Sequence, residues 1–255
     1  MPLRLLCVTA HPDDESGAFG GALMQAHAAG AETFVLCFTE GQAAHFRGEA
    51  QDNAELGAAR RGELAEACAV LGVSQFEVLH FPDGELAKQN FQEMVGIAVE
   101  HLRRWRPQVV LTFGGDGGVN LHRDHTVIAA VTTTAFHWAA RAEMYPDHID
   151  TGERPHAAQK LYYASTPFVS VRDRPELTAS AATTPWSLTL ELGDLADRKL
   201  AAFSKHASQR GVLQRVGPHL KQAMSRERYL LAARRGVSSV TEDAGMFAGI
   251  VGDDS

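Results

Sequence analysis

The strongest constraint on the fold is an alternation of short apolar runs with longer segments of helical periodicity. The apolar runs have the length and composition of strands that are buried on both faces, as in a parallel sheet. Five of them lie at residues 3–9, 33–39, 76–81, 109–113 and 161–164. We therefore predict an α/β fold with a Rossmann-like, mostly parallel sheet that is flanked by helices and joined by right-handed crossovers.

The segments between these runs complete the outline. Helices are predicted at residues 15–29, 55–71, 91–105, 122–140, 195–208 and 220–233. Polar loops are predicted at residues 40–53, 141–159 and 171–184. Alternating residues at 186–190 are typical of an edge strand, and residues 252–255 should fray. Because no change in composition divides the 255 residues, a single domain is predicted.

Charge and cysteine content narrow the class of partner and the compartment. A formal net charge of −7 argues against nucleic acid, because proteins that bind it usually carry a basic face. No apolar stretch is long enough for a membrane span, and the N-terminal segment lacks the features of a signal peptide. Cys7, Cys37 and Cys68 form no Cys-x-x-Cys unit and are predicted to be buried, reduced thiols. The expected compartment is the cytoplasm.

Two polar clusters follow predicted strands. Residues 11–15, HPDDE, come after the first strand, and residues 122–125, HRDH, come just after the fourth. Ligands collect beyond the carboxyl ends of parallel strands, so the clusters would meet if these two strands are neighbours. Imidazole and carboxylate are the ligands that zinc prefers. Two histidines and one aspartate would leave a coordination position for water, as in catalytic zinc sites.

Simpler interpretations exist for each cluster. Asp13 or Asp14 could cap the following helix, and residues 122–125 could be a solvated helix start. However, the three acidic residues in the first cluster are costly to crowd together unless a cation or a helix N-terminus compensates them. Since both clusters also fall at matching strand ends, the metal site is the favoured interpretation.

At these motifs the chain resembles the LmbE-like (PIG-L) deacetylases, zinc enzymes that act on N-acetylglucosamine-type substrates. Residues 10–15, AHPDDE, match the first family signature, and residues 122–125 match the second, His-x-Asp-His. Weaker matches are RRGEL at 60–64, FPDG at 81–84, PQVVLT at 107–112, Lys199 and HASQ at 206–209. The resemblance covers residues 3 to about 210 and identifies residues 1–255 as one deacetylase domain.

The resemblance also implies roles for the two signatures. Zinc would be held by His11, Asp14 and His125. Asp13 would be the general base on the water that attacks the amide, and His122 would protonate the leaving amine or stabilise the oxyanion. Asp124 would orient and charge His122. His122 could instead be a fourth ligand, which would close the site to water and exclude hydrolysis.

Substrate contacts are expected from Arg60, Asp83 and Gln42. Arg60 could equally pair with Glu63 one helical turn away, and Asp83 could simply build its turn. Many family members carry glutamate at the position of Gln42. They also differ from this chain at Asn120, where some have an aromatic residue, and at Leu121, where glycine is common. His206 is left open as a site or core-edge residue, and three loop histidines, His45, His148 and His156, are expected to be solvated.

The resemblance implies a zinc-dependent N-deacetylase for a small acetylated amino sugar, and a homo-oligomer is an expectation of the same kind. Three alternatives stay open. The first is an amidase on a larger N-acyl conjugate. The second is a metal-binding protein without turnover, which predicts a missing base although Asp13 is present. The third is a phosphoesterase, but few spare ligands exist for a second metal, and the glycines at 114–118 lack a Lys-Ser/Thr partner.

Overall fold

A computed structural model of the protein describes residues 2–164, 168–169, 179–180, 186–216, 224–236 and 243–251. The strands are β1 Arg4–Thr9, β2 Glu32–Thr39, β3 Gln75–Phe81, β4 Val109–Phe113, β5 Lys160–Ala164, β6 Phe168–Val169, β7 Ala179–Ser180, β8 Leu188–Glu191 and β9 Arg226–Arg234. The helices are α1 Asp14–Gly17, α2 Gly20–Ala28, α3 Asn53–Leu71, α4 Phe91–Trp105, α5 Arg123–Trp138, α6 Pro146–Asp150, α7 Leu195–Phe203 and α8 Arg210–Val216.

Seven strands form one sheet in the order β3-β2-β1-β4-β5-β9-β8. The pairs from β3 to β5 are parallel, whereas β9 and β8 pair antiparallel at one side. The predicted α/β fold with a mostly parallel sheet is confirmed, and so is the edge strand at 186–190, which corresponds to β8. The strands β6 and β7 form a separate, antiparallel two-stranded ribbon.

Successive residues of β1 enter two different hydrophobic clusters. Leu5 and Cys7 pack on one face of the sheet, and Leu6 and Val8 pack on the other. A strand that is covered on both faces needs apolar residues at every position, which is why these runs are continuous in the sequence. The three cysteines are buried and unpaired, as predicted.

The predicted helix at 220–233 is wrong from residue 226 onwards. Residues 226–234 form β9, which pairs with both β5 and β8. The run contains good helix formers, but its first residues alternate in burial, since Glu227 and Tyr229 are buried and Arg226 and Arg228 are exposed. Two strand partners override the local helix propensity. Residues 220–223 lie outside the described residues.

Smaller differences concern helix ends and loops. The predicted helix at 15–29 is divided into α1 and α2, and the one at 195–208 ends at Phe203, before a 3₁₀ turn over Ala207–Gln209. The loop at 141–159 contains α6, and the loop at 171–184 contains β7. The rest of 171–184 and the fraying end at 252–255 are not among the described residues. None of the described helices is long and apolar enough to cross a membrane.

The position of β4 beside β1 brings the two polar clusters together. Leu5 pairs with Val109 and Cys7 pairs with Leu111, in parallel. Both strands therefore end at the same edge of the sheet. The first cluster leaves β1 and begins α1, and the second begins α5, so their side chains converge above this edge.

Candidate metal and catalytic centre

Asp14 lies at the centre of the converging side chains. Its Oδ2 accepts the backbone N–H of His11 at 2.8 Å and that of Ala10 at 3.2 Å. Its Oδ1 lies 3.1 Å from Nε2 of His125, and its Oδ2 lies 3.5 Å from Nδ1 of His11. Burial alone would raise the pKa of Asp14, but the two histidines outweigh it and hold that pKa well below its ordinary value. The carboxylate is therefore ionised.

His125 is held with one ring nitrogen towards Asp14. The ring stacks on Phe113, with centroids 3.7 Å apart and planes at 5°. Its Nδ1 lies 3.0 Å from the carbonyl oxygen of Gly117. Because a carbonyl oxygen can only accept, Nδ1 carries the proton, and Nε2 has a free lone pair in the neutral ring. This Nε2 is buried and is not oriented for a hydrogen bond, although Asp14 Oδ1 lies 3.1 Å away.

His11 is held with its other ring nitrogen, Nδ1, towards Asp14. Its Nε2 lies 3.0 Å from Asp83 Oδ1 and 3.3 Å from Asp124 Oδ2. These carboxylates accept the Nε2 proton, so that in the neutral ring the Nδ1 lone pair faces Asp14. A metal-binding histidine usually donates its second ring N–H to a carboxylate or carbonyl in this manner. Burial lowers the pKa of His11, but the surrounding carboxylates raise it well above the ordinary value.

The described donors fall into two groups whose ligand atoms lie within 4.8 Å of one another. One contains His11, His122 and His125, and the other contains His11, Asp83 and Asp124. Asp14 is in neither group, although it contacts both His11 and His125. The unpartnered Nε2 of His125 and the two nitrogen donors beside one carboxylate fit a borderline divalent cation. The cluster is compatible with a metal site.

Asp13 adopts an unusual backbone conformation beside this centre. Its φ of 108° lies in the left-handed region, which is rare for a residue with a side chain. Its N–H donates to Glu15 Oε2 at 2.9 Å, and its Oδ2 accepts from Arg60 Nη2 at 3.1 Å. The Asp13 side chain makes no capping hydrogen bond to α1. Burial raises the pKa of Asp13 to about 6, and Arg60 opposes the rise.

Arg60 connects the loops that carry the centre. Its guanidinium is buried and donates to the carbonyl oxygens of Gly41, at 2.8 Å, and Pro12, in addition to Asp13. The alternative helical pair with Glu63 does not form, because both Glu63 oxygens accept from Ser208 at 2.7 Å. The guanidinium thus positions Asp13 and two loops, and its contact with substrate stays a prediction.

His122 and Asp124 interact through the His122 ring and the Asp124 backbone N–H, and not through the Asp124 carboxylate. The Asp124 N–H donates to Nδ1 of His122 at 3.2 Å, so the proton of the neutral ring is on Nε2. The Asp124 carboxylate instead accepts from the N–H of Gly84 at 2.7 Å and contacts His11. Burial lowers the pKa of His122, and the charges of His11 and His125 lower it further.

The other two predicted substrate residues join neighbouring loops to the centre. Asp83 Oδ2 accepts the N–H of Ala43 at 2.9 Å while its Oδ1 contacts His11. Gln42 donates from Nε2 to Phe81 O at 3.1 Å, and its Oε1 is buried without a hydrogen-bond partner. The residues next to Asp83 in the sequence do not indicate its contact with His11. A signal for it is that the Asp83 turn follows β3, which ends at the same edge of the sheet as β1.

Among the remaining histidines, His206 is fully buried, and its Nε2 lies 2.7 Å from Glu15 Oε1. His45 is exposed, and His148 is half-buried with Nδ1 3.9 Å from Glu153 Oε2. The prediction that His156 is solvated is wrong. That ring is buried with Nε2 2.7 Å from the carbonyl oxygen of Pro107, because its loop folds back against the start of β4.

A family model matches the part of the chain that contains both signatures of the centre. The model described as PIG-L, GlcNAc-PI de-N-acetylase, matches residues 6–136. The chain belongs to the PIG-L family. The match extends from β1 to α5 and so includes every side chain of the predicted metal and catalytic set.

Individual relatives and a solved structure agree with this family. The chain is 32% identical over 181 residues to the mycothiol S-conjugate amidase of Streptomyces coelicolor, covering 63% of this chain and 60% of the relative. It is 35% identical over 185 residues to the 1D-myo-inositol 2-acetamido-2-deoxy-α-D-glucopyranoside deacetylase of Rhodococcus jostii, covering 64% and 61%. This chain therefore spans about 60% of the length of these relatives. The N,N'-diacetylchitobiose deacetylase structure from Pyrococcus horikoshii shares the fold, with a TM-score of 0.74, 21% identity, and coverage of 89% and 83%.

Proposed function

We propose that the protein is a zinc-dependent hydrolase that removes the acetyl group from an N-acetylglucosamine-type substrate. Zinc would be held by three side chains, His11, Asp14 and His125. The observation that carries the proposal is the arrangement around Asp14. The buried Nε2 of His125 forms no hydrogen bond and lies 3.1 Å from one Asp14 oxygen, and Nδ1 of His11 lies 3.5 Å from the other. PIG-L family membership and the deacetylase and amidase names of the relatives support the same reaction.

Zinc, when bound, supplies a Lewis acid that acidifies water and polarises a carbonyl group. Asp13 is the proposed general base, which takes the proton of the attacking water on its carboxylate. A pKa of about 6 suits this role, because the group is ionised at neutral pH and still basic enough to accept a proton. Arg60 and the left-handed backbone restrict the directions in which this carboxylate can point.

His122 is the proposed general acid or oxyanion-stabilising group. Its lowered pKa favours the neutral ring at pH 7, with the proton on Nε2. A neutral Nε2–H can donate a hydrogen bond to the oxygen that becomes negative, and the same proton can pass to the departing amine. Asp124 supports both histidines, since its N–H fixes the His122 tautomer and its carboxylate contacts His11.

The substrate is proposed to be a small acetylated amino sugar or its conjugate. Arg60, Asp83 and Gln42 are the proposed polar contacts, and Oε1 of Gln42 is a buried acceptor without a hydrogen bond. The glutamate common in the family could only accept there, whereas an amide can also donate. We also propose that residues 1–255 are one deacetylase domain, that the enzyme is cytoplasmic, as its buried thiols favour, and that it forms a homo-oligomer.

A second candidate function is cleavage of a larger N-acyl conjugate at the same centre. One relative is named an amidase of mycothiol conjugates. In this chain, a cavity of about 1060 Å³ lies between residues 45–50 and 207–214, and Ala59 and Glu63 line it on either side of Arg60 in α3. Such a cavity could accommodate a large substituent next to the centre.

The two candidates differ in the acid that is released. The zinc-loaded protein should be incubated with N-acetylglucosamine, N-acetylglucosaminyl inositol, a thiol conjugate of the latter, and an analogue with a longer acyl chain. Acetate from the first three substrates supports deacetylation, whereas preferential release of the longer acid supports the amidase. Asp13→Asn is the matched control for contaminating activity. Stoichiometric zinc without turnover of any substrate would contradict both candidates.

A further inference from the structure

Glu15 and His206 form a fully buried pair directly beneath Asp13. His206 Nε2 lies 2.7 Å from Glu15 Oε1, and the Ser16 hydroxyl donates to the same oxygen at 2.5 Å. The other oxygen, Oε2, accepts the backbone N–H of Asp13 at 2.9 Å. Both side chains are 0% exposed. Neither of them belongs to the two groups of described donors whose ligand atoms lie within 4.8 Å of one another.

The bond to Asp13 holds a strained residue. A non-glycine residue in the left-handed region costs about 1–3 kcal/mol and persists only where its surroundings over-determine it. Asp13, at φ 108°, is fixed from two sides. Glu15 binds its N–H, while Arg60 binds its carboxylate and the carbonyl oxygen of Pro12.

Glu15 and Arg60, which hold Asp13 from two sides, are linked to each other through residues 206–209. His206 precedes the 3₁₀ turn Ala207–Gln209, and Ser208 in that turn donates twice to Glu63 of α3, the helix that carries Arg60. His206 and Ser16 occupy one oxygen of Glu15 and so direct the other towards Asp13. The segment that holds Glu15 comes from 191 residues further along the chain. A buried carboxylate needs such partners to keep one orientation.

We propose that Glu15 is a positioning residue for Asp13 and that His206 keeps Glu15 in place. The inference rests on the proposed function, in which Asp13 is the general base. Loss of the Glu15 acceptor lets the Asp13 backbone leave the left-handed conformation and moves its carboxylate away from the attacking water. Misplacement of a reacting group by about 1 Å can lower a rate by about 10²-fold. The effect falls on kcat, since zinc and substrate are bound by other side chains.

The test compares Glu15→Gln with Glu15→Met. Glutamine keeps an oxygen that can accept the Asp13 N–H, whereas methionine has similar length and no strong acceptor. We expect Glu15→Met to lower kcat by about 10²-fold with KM and zinc content unchanged, and Glu15→Gln to restore most of that loss. Lys160→Met is the matched control, because it removes one partner of another buried ion pair, at the start of β5. In that pair Lys160 Nζ lies 2.9 Å from Asp243 Oδ1. It should lower stability and leave kcat unchanged.

A double variant separates positioning from general loss of structure. In an Asp13→Asn background, Glu15→Met should cause no further fall in kcat, because the group it positions is already disabled. Independent, multiplying losses would overturn the proposal, as would a parental kcat in Glu15→Met. If Asp13→Asn itself turns over like the parent, the assignment of the general base fails instead. Should Glu15→Met not fold, His206→Leu and His206→Gln provide the same comparison one step further from Asp13.

Discussion

Asp14 and Glu227 are buried carboxylates that are anchored alike and surrounded differently. Asp14 accepts the N–H groups of Ala10 and His11, and Glu227 accepts those of two successive residues at the start of α2, Gly21 at 2.7 Å and Ala22 at 2.9 Å. Each carboxylate thus satisfies two successive backbone donors, which lie in the turn between β1 and α1 for Asp14 and at the start of α2 for Glu227. From the anchoring alone, neither could be recognised as part of a functional site.

Their remaining partners separate them. Glu227 is bound by Lys199 Nζ at 2.6 Å and by the Tyr229 hydroxyl at 2.7 Å, which links α2, α7 and β9. Asp14 faces two imidazoles, one of which leaves Nε2 of His125 without a hydrogen-bond partner, and it follows a residue in a strained conformation. Buried charge by itself is usually structural. Unpartnered polar atoms together with backbone strain are what indicate a functional site.

The largest expected effect is loss of the bound metal. It should follow a substitution beside Asp14 and not one beside Glu227. His125→Ala removes a nitrogen donor and should abolish both zinc binding and acetate release, and dialysis against a chelator should do the same to the parent until zinc is restored. Lys199→Met, at the other carboxylate, should retain stoichiometric zinc. Metal analysis of the two purified variants checks this. Unchanged zinc affinity in His125→Ala would remove the distinction between the two carboxylates.

The next effect separates Asp14 from its neighbour. Asp14→Asn should weaken zinc binding, because a neutral amide oxygen is a poorer ligand than a carboxylate. Asp13→Asn should keep zinc and lower kcat by about 10²–10⁴-fold, the usual range for a general base. In the parent, kcat should rise with pH as Asp13 ionises, and bound zinc should place the midpoint below the pKa of about 6 that Asp13 has in the metal-free protein. A parental kcat in Asp13→Asn would show that Asp13 is no base.

At the structural carboxylate the expected effect is on stability. Lys199→Met leaves a buried, unpaired carboxylate, which typically costs about 3–5 kcal/mol. The double variant Lys199→Met/Glu227→Gln removes the charge and should recover part of the loss. Denaturant unfolding measures both, and kcat per folded molecule should stay at the parental value. A tenfold fall in kcat would mean that Lys199–Glu227 also shapes the centre.

Sequence reasoning located one of these carboxylates and not the other. His11, Asp14 and His125 could be predicted because they follow apolar strands whose carboxyl ends meet at one sheet edge. Glu227 could not, since its segment has helix-forming residues and becomes a strand only through pairing with β5 and β8. The bond between His206 and Glu15 spans 191 positions and leaves no local pattern either. Contacts set by long-range packing were out of reach.

The smallest effect concerns the stability of the metal-free protein and has opposite signs at two aspartates. The pKa of Asp13 is raised from 3.8 to about 6, chiefly by burial, so its ionisation opposes folding. Stability is lost as the pH rises from about 4 to 6, and the full penalty is present above 6. Asp13→Asn should therefore stabilise the metal-free protein at pH 7.5, by on the order of 1–3 kcal/mol, less whatever the lost contact with Arg60 contributes.

Asp83 is the matched control for that sign. Burial would raise its pKa, but His11 and the N–H of Ala43 lower it below the ordinary value, so its ionised form favours folding above the unfolded pKa. In chelator, Asp83→Asn should destabilise the protein at pH 7.5. The Asp13 difference from the parent should shrink as the pH falls from about 6 to 4, whereas the Asp83 difference should shrink only as the pH falls below about 4, towards the lowered pKa of the folded state. Thermal unfolding of the parent and the two variants across this range decides the point. A destabilised Asp13→Asn at pH 7.5 would mean that Asp13, like Glu227, is held by its partners for stability rather than kept strained for catalysis.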